Sequence, residues 1–187
     1  MKKTQNLCEM SNEELWQLFP IILKKYNWKW KDRYNAESKI ITASVGTENI
    51  ERISHIGSTA VKGLKAKPTI DILLEITEKA DLNRIIDRLI QANYIYSPQP
   101  DNPPPHMMFL KGYTNKGFKG QAFHLHIRYK GDWEELYFRD YLLAHKDVAK
   151  EYGKLKIKLR KKYRFDRDGY TLEKTDFVKK YSQKTGK

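Results

Sequence analysis

The segment from His55 to Glu75, HIGSTAVKGLKAKPTIDILLE, decides the fold. Its Ile56-Gly57-Ser58 sequence predicts a tight turn whose backbone N–H groups can approach a phosphate closely. Asp71 follows Ser58 after twelve intervening residues and lies inside the apolar run Thr69 to Ile76, which predicts a buried strand. A carboxylate on such a strand can bind the metal ion that phosphate groups share. The segment therefore predicts chemistry on a nucleotide or another phosphorylated ligand.

Length and composition predict a globular chain. The 187 residues are 40% hydrophobic and 12% aromatic, which is enough for one core. We expect a single domain over 1–187, with 1–19 as an N-terminal extension and 132–187 as a helical C-terminal part. No run reaches the roughly 18 apolar residues of a membrane span, no apolar segment follows the basic N-terminus, and Cys8 is the one cysteine. We therefore expect a cytoplasmic protein without a membrane partner.

The charge is strongly basic and uneven. The formal net charge is +13, and residues 146–187 hold 15 Lys or Arg against 6 Asp or Glu. Such a field attracts nucleotides, phosphorylated small molecules or RNA. The alternative is a solvated helix surface, because these lysines do not form one stripe. A nucleic-acid partner is supported by charge alone, since the chain shows no recognition motif.

The pattern of elements mixes helices and strands and then becomes helical. Ser11 and Glu14 form a predicted capping box that begins a helix reaching Phe19, and Pro20–Leu23 predicts an edge strand. Further helices are predicted at 28–44, 80–92, 132–144, 147–163 and 170–181, with one helical turn at 59–64. Further strands are predicted at 50–54, 69–76, 94–96, 107–110 and 122–129, the last two forming an antiparallel hairpin. This order predicts an α+β fold, a mixed sheet with helices packed on it.

His124, His126 and Arg128 alternate along one predicted strand, so all three side chains face the same side. Two histidines spaced in this way can bind one metal ion or flank an anionic ligand, and Arg128 extends that polar face. The alternative is a hydrogen-bonded structural histidine with a surface arginine. His55, which directly precedes the turn, is a further candidate for the same cleft.

Other polar residues are candidates for phosphate binding. Thr59 extends the turn, and Lys67 lies close to it, directly before Pro68. Tyr170 and Lys174 are i, i+4 neighbours, so a tyrosine can stack on a base while a lysine neutralises phosphate; the same pair is common on solvated helices. Lys154 and these residues complete the predicted ligand-binding set.

Glu75 shares a strand face with Asp71 but lies about 13 Å away at ~3.3 Å per residue. The metals of a two-metal site lie ~3.5–4 Å apart, so this pair cannot form one compact site. We therefore expect Glu75 at the solvent end of the strand.

These motifs resemble the GrpB family. The resemblance rests on HIGSTAVKGLKAKPTIDILLEI, FHLHI, FRDYLLAHKDVAKEYGKLK and YTLEKTDF, with Trp30 and Glu37 fitting the opening pattern, and it covers about 20–181. It implies a nucleotidyltransferase-like fold, which occurs in this family alone or fused to dephospho-CoA kinase. The implied signature is a Gly-Ser turn, matched by Gly57 and Ser58, then a strand with two acids and a third acid on a later strand.

The chain departs from that implied signature at two places. Asp71 matches the first acid, but Leu73 occupies the second position, and the later strand offers His124 and His126 instead. The resemblance implies a nucleotidyltransferase that moves a nucleoside monophosphate from an NTP to an acceptor, with Mg²⁺ or Mn²⁺ bound by Asp71 and His126. In this hypothesis Asp71 and His126 are catalytic, and His124 is an alternative ligand or base. The alternative is a non-catalytic domain that binds a nucleotide or CoA-type ligand, which Leu73 favours.

Overall fold

The computed structural model describes residues 7–182, and these form a mixed sheet with helices on both faces. The strands are β1 (Ile50–Ile56), β2 (Thr69–Ile76), β3 (Ile95–Pro98), β4 (Met107–Thr114) and β5 (Gly117–Tyr129). The helices are α1 (Asn12–Leu18), α2 (Lys29–Val45), α3 (Leu82–Gln91), α4 (Glu134–Ala144), α5 (Lys146–Lys162), α6 (Arg167–Leu172) and α7 (Thr175–Ser182). The α+β prediction is confirmed.

The strand order is β1-β2-β5-β4-β3, and it places the two strands with candidate ligands side by side. Strands β2 and β5 run parallel, whereas the other neighbouring pairs are antiparallel. In this register Asp71 lies opposite His124, and Leu73 lies opposite His126. Residues that are 53 positions apart in the chain therefore meet at the centre of the sheet.

Alternation along β2 assigns its side chains to two different environments. The even-numbered residues, among them Ile70 and Ile72, join the main core, which α2 and α3 cover with Trp30, Ile41 and Leu89. These side chains are at most 1% exposed, and burying each stabilises the fold by about 1.5–3 kcal/mol.

The opposite sheet face carries Asp71 and Leu73 and lies toward the C-terminal helices. Leu73 packs there against Ile56 and against Leu136 of α4. The helices α4, α5 and α7 share a second core that includes Phe138 and Tyr152. The site therefore lies between the sheet and the helical C-terminal part.

Several element predictions need correction. The segment 170–181 is not one helix: the N–H of Lys174 bonds the Thr171 carbonyl, three residues back, and this tighter turn separates α6 from α7. Pro20–Leu23 is not a strand, because the Ile21 N–H bonds the Arg164 carbonyl and the one ladder contact, Lys24 with Ala66, follows it.

The hairpin strands are longer than predicted because Gly112 does not end β4. It lies at an irregularity of the β4–β5 ladder with φ +84°, and a β-carbon there would clash with the Gln121 carbonyl oxygen. Glycine therefore permits a bulge within the pair. The capping box of Ser11 and Glu14 is present as predicted.

The prediction for Glu75 is wrong, because its side chain is fully buried. The carboxylate pairs with Arg52 and accepts the N–H of Gly131 at 3.2 Å. A buried carboxylate persists only with such partners, so Glu75 joins β1, β2 and the end of β5.

Within residues 7–182, we find no helix with the length and apolarity that a membrane crossing requires.

Candidate functional site

The backbone of the turn that follows β1 lies close to the side chain of Asp71. Gly57 has φ +68°, a left-handed conformation that glycine adopts readily. A β-carbon on Gly57 would lie 2.5 Å from Asp71 Oδ2. The residues Ser58–Ala60 then form a short 3-10 turn, within which Thr59 is buried. Only glycine therefore allows the turn and the strand carboxylate to approach this closely.

Asp71, His124 and His126 form a compact group of potential metal ligands. One ligand atom from each side chain lies within 4.8 Å of the other two. His124 Nδ1 lies 3.2 Å from Asp71 Oδ1, and its Nε2 lies 2.6 Å from the Tyr113 hydroxyl. Both nitrogens of His124 thus have partners in the protein, whereas His126 faces a cavity.

The local charges favour the forms that bind metal. Burial acts to raise the pKa of Asp71, but the hydrogen bond from His124 and the charges of His126 and Lys67 hold it below its usual value. Burial lowers the pKa of His126 to about 4, and it also lowers the pKa of His124 against the opposing effect of Asp71. The carboxylate is therefore ionised and the imidazoles are neutral at pH 7, as metal ligands must be.

A cavity of 630 Å³ opens beside this group. Gly57, Asp71, His126 and Lys174 line it, and Trp133 and Phe138 supply apolar walls. Three acidic residues near the start of α4 also line it, namely Asp132, Glu134 and Glu135. This volume is typical of pockets for small molecules and cofactors.

Lys156 of α5 connects this helix to the turn by hydrogen bonds. Its side chain is buried, and Nζ donates to Ser58 Oγ at 2.9 Å and to the Lys65 carbonyl at 2.5 Å. Burial lowers the pKa of Lys156 well below its usual value, and the charges of Lys174 and Lys67 lower it further. An anion beside the glycine-serine turn would favour the ammonium form of Lys156, so this buried lysine is a candidate partner for an anionic ligand.

Two more cations lie at the buried ring of Tyr170, and a third, Arg167, lies at the ring of Tyr113. Nζ of Lys174 lies 4.3 Å from the ring centroid, and Nζ of Lys67 lies 5.7 Å from it. Burial and the charges of Arg167 and Lys174 lower the pKa of Lys67 to about 7, and burial lowers that of Lys174 to about 8. Among the described residues, none of these lysines or Arg167 forms a salt bridge.

Comparison with known proteins assigns the family. The family model described as GrpB protein matches residues 20–184. The chain belongs to the GrpB family. It is similar to glutamate-rich protein GrpB of Alkalihalophilus pseudofirmus, with 36% identity over 84% of this chain and 91% of that protein. It is also similar to a UPF0157 protein of Halalkalibacterium halodurans, with 31% identity over 85% of this chain and 84% of the relative.

A solved GrpB structure has the same fold. The crystal structure of conserved protein GrpB from Enterococcus faecalis matches with a TM-score of 0.76 and 26% identity. The match covers 88% of this chain and 96% of that one. The family resemblance predicted from the sequence motifs is thereby confirmed.

Several predicted site residues of this GrpB-family chain lie outside the cavity. His55 stacks on Tyr34, and its Nε2 lies 3.0 Å from Thr59 Oγ1. Burial lowers the pKa of His55 to about 4. The contact between His55 and Thr59 therefore joins the end of β1 to the turn, outside the cavity. Arg128 is buried over the ring of Trp133, and Lys154 lies on an exposed face of α5 in a different groove.

Four residues near the site were not predicted from the sequence, namely Lys156, Arg167, Tyr113 and Tyr152. The buried residues of α5 are Val148, Ala149, Tyr152, Gly153, Lys156 and Leu159. Lys156 follows Tyr152 by four positions on this otherwise apolar stripe, so helical periodicity was the signal that distinguishes it from Lys154. Tyr113 and Arg167 reach the site from distant parts of the chain, and no sequence spacing indicates that.

Proposed function

We propose that this GrpB-family protein is a metal-dependent nucleotidyltransferase that moves a nucleoside monophosphate from an NTP to an acceptor. The observation that carries the proposal is the convergence of Asp71, His124 and His126 in one compact group, of which Asp71 and His126 line a cavity. The glycine-serine turn approaches Asp71 closely, and Lys174, whose Nζ lies over the ring of Tyr170, lines the same cavity. Ligands for a metal beside donors for phosphate are what phosphoryl transfer requires.

The three side chains fit a divalent ion of the Mn²⁺ or Zn²⁺ type better than Mg²⁺. Imidazole nitrogens suit transition metals, whereas Mg²⁺ prefers a shell of oxygen atoms. Asp71 and His126 are the direct ligands in this proposal, and His124 joins them or orients Asp71 through its hydrogen bond. A bound ion would supply charge neutralisation at the phosphate oxygens.

The protein's own groups act on the remaining parts of the substrate. Ser58 and the backbone of the turn bind the phosphates, and Lys67, Lys156 and Lys174 offset their negative charge. In the reaction the acceptor oxygen bonds to the α-phosphorus, the α–β phosphoanhydride bond breaks and pyrophosphate leaves. The acceptor's proton passes to water in the cavity, because a histidine with a pKa of about 4 is a weak base.

A non-catalytic nucleotide-binding or CoA-type-ligand-binding domain is the second candidate, and Leu73 favours it. Leu73 is fully buried and packs on Ile56 and Leu136. No carboxylate can therefore enter from that strand position to hold a second ion. If one ion does not suffice for transfer, the same cavity binds its ligand without reaction.

The experiment follows pyrophosphate release from ATP, GTP, CTP and UTP with Mn²⁺, Zn²⁺ or Mg²⁺, over a panel of hydroxyl acceptors. We expect metal-dependent pyrophosphate release that is fastest with Mn²⁺ or Zn²⁺. The rate of release should fall by about 100-fold or more in Asp71→Asn. Asp87→Asn is the matched control, because Asp87 is exposed on α3 at the other sheet face. Its activity should equal that of the wild type.

Nucleotide binding and metal binding are measured separately by calorimetry and by Mn²⁺ electron paramagnetic resonance. Saturable nucleotide binding without release over the whole panel supports the binding domain. Absence of Mn²⁺ binding, together with absence of binding to every nucleotide and to coenzyme A, overturns both candidate functions.

A further inference from the structure

A second cavity lies on the outer side of the turn segment, away from Asp71. It has a volume of 810 Å³, and the segment Val61–Lys65 forms one of its walls. The end of α4 and one face of α5, from Lys146 to Ile157, form the others. The wall along α5 is about 16 Å long at ~1.5 Å per residue. No lining residue is shared with the cavity beside Asp71.

The floor of this groove is apolar. Val61, Leu64 and Leu142 are buried below it. Leu143 at its edge is 46% exposed, although burial of a leucine side chain normally stabilises a protein. Gly153 adds no side chain to the floor, and a β-carbon there would lie 3.4 Å from Leu64 Cδ1. The groove can therefore accept an apolar body from solution.

The rim of the groove carries positive charge only. Five exposed lysines line it: Lys62, Lys65, Lys146, Lys150 and Lys154. No acidic residue is among the lining residues, and within 7–182 none of the five lysines forms a salt bridge. Five like charges around one groove repel one another, so an anionic group at the rim would stabilise the arrangement.

We infer that this groove is a second binding site, for a small amphipathic anion with an apolar body and one phosphate or carboxylate group. The apolar body occupies the floor between α4 and α5, and the anionic group lies among the lysines of the rim. Charge complementarity and a volume within the range of small-molecule pockets support this occupant over a larger partner. In this inference Lys154 binds the anionic group of the amphiphile, whereas it does not line the cavity beside Asp71.

The test is calorimetric titration of the full chain with monomeric decyl phosphate. We expect saturable binding at one site, with inorganic phosphate and decanol each binding at least tenfold more weakly. The double variant Lys150→Gln/Lys154→Gln should weaken binding by about fivefold, the effect expected for two exposed ion pairs. Lys158→Gln/Lys161→Gln is the matched control, since both lysines are exposed on α5 outside the groove.

Two further experiments test where the amphiphile binds and whether the protein binds it as a monomer rather than as part of a membrane. The variant Lys174→Met, which changes the Asp71 cavity and no residue of the groove, should leave decyl phosphate binding unchanged; weaker binding by Lys174→Met than by Lys150→Gln/Lys154→Gln would place the amphiphile in the Asp71 cavity and overturn the inference. Binding to phosphatidylglycerol vesicles without binding to monomeric decyl phosphate would also overturn it. Equal affinity in the two double variants would exclude the lysine rim. None of these outcomes depends on nucleotidyl transfer.

Discussion

Replacing Lys156 by methionine should make the protein more stable and a weaker binder of polyphosphate. The Lys156 side chain is 3% exposed and donates to Ser58 Oγ and to the Lys65 carbonyl. Within the described residues no carboxylate forms an ion pair with it. Burial of an ammonium group costs several kcal/mol, and each hydrogen bond to it returns about 1.5–3 kcal/mol. Methionine fills a similar volume without the charge.

We expect the free energy of unfolding of Lys156→Met at pH 7 to exceed that of the wild type by about 1–3 kcal/mol. The affinity for tripolyphosphate should fall by about tenfold or more, because one charge-assisted hydrogen bond is lost. Urea denaturation measures the first quantity and calorimetry the second. Lys158→Met, an exposed lysine two positions further along α5, should change stability by less than about 0.5 kcal/mol.

The stability difference should also depend on pH. The pKa of Lys156 is lowered in the folded protein, so the unfolded chain binds more protons between the folded and unfolded pKa values. Wild-type stability therefore rises with pH through that window, and the advantage of the methionine variant shrinks toward pH ~10.4, where the unfolded lysine also loses its proton. A variant that is less stable than the wild type at pH 7 and binds tripolyphosphate equally well would refute the reasoning.

Two further predictions test the cations and the turn. Lys67 and Lys174 lose their charge as pH rises through about 7 and about 8, so tripolyphosphate affinity measured by calorimetry should fall by about tenfold between pH 6 and pH 9. An equally steep or steeper fall in the double variant Lys67→Met/Lys174→Met would contradict this. Gly57→Ala and Gly63→Ala both place alanine at positive φ, which costs about 1 kcal/mol in Gly63→Ala by urea denaturation and more in Gly57→Ala, because its β-carbon would clash with Asp71. Only Gly57→Ala should also weaken Mn²⁺ binding, because its β-carbon meets Asp71 and that of Gly63 meets no atom within 4 Å; equal Mn²⁺ affinity in the two variants would refute the proposed role of the turn.

The fold was predictable where one local signal decides the structure. The β-branched run of Thr69 to Ile76 predicted β2, and alternation in β5 predicted that His124 and His126 share a face. The capping box of Ser11 predicted the start of α1. These signals depend on residues close together in the chain, which is why sequence spacing carries them.

The remaining parts of the site depend on contacts between distant segments. The parallel pairing of β2 with β5 places His124 opposite Asp71, but spacing alone does not indicate which strands are neighbours. The burial of Glu75 depends on its partner Arg52, which lies on another strand, and its spacing from Asp71 does not indicate this contact. Lys154 and Lys156 carry the same charge, and only the apolar stripe of α5 distinguishes the buried Lys156 from the exposed Lys154.

The parallel β2–β5 pair also has a consequence for the order of folding. Its partners are separated by β3, β4 and α3 in the chain, so closing this contact requires a long loop, and such contacts form slowly. A chain with its local hairpin complete but without this pair has Asp71 and His126 far apart. Under the proposed function, Mn²⁺ added during refolding should therefore bind only after β2 and β5 have paired, and its binding would report that pairing.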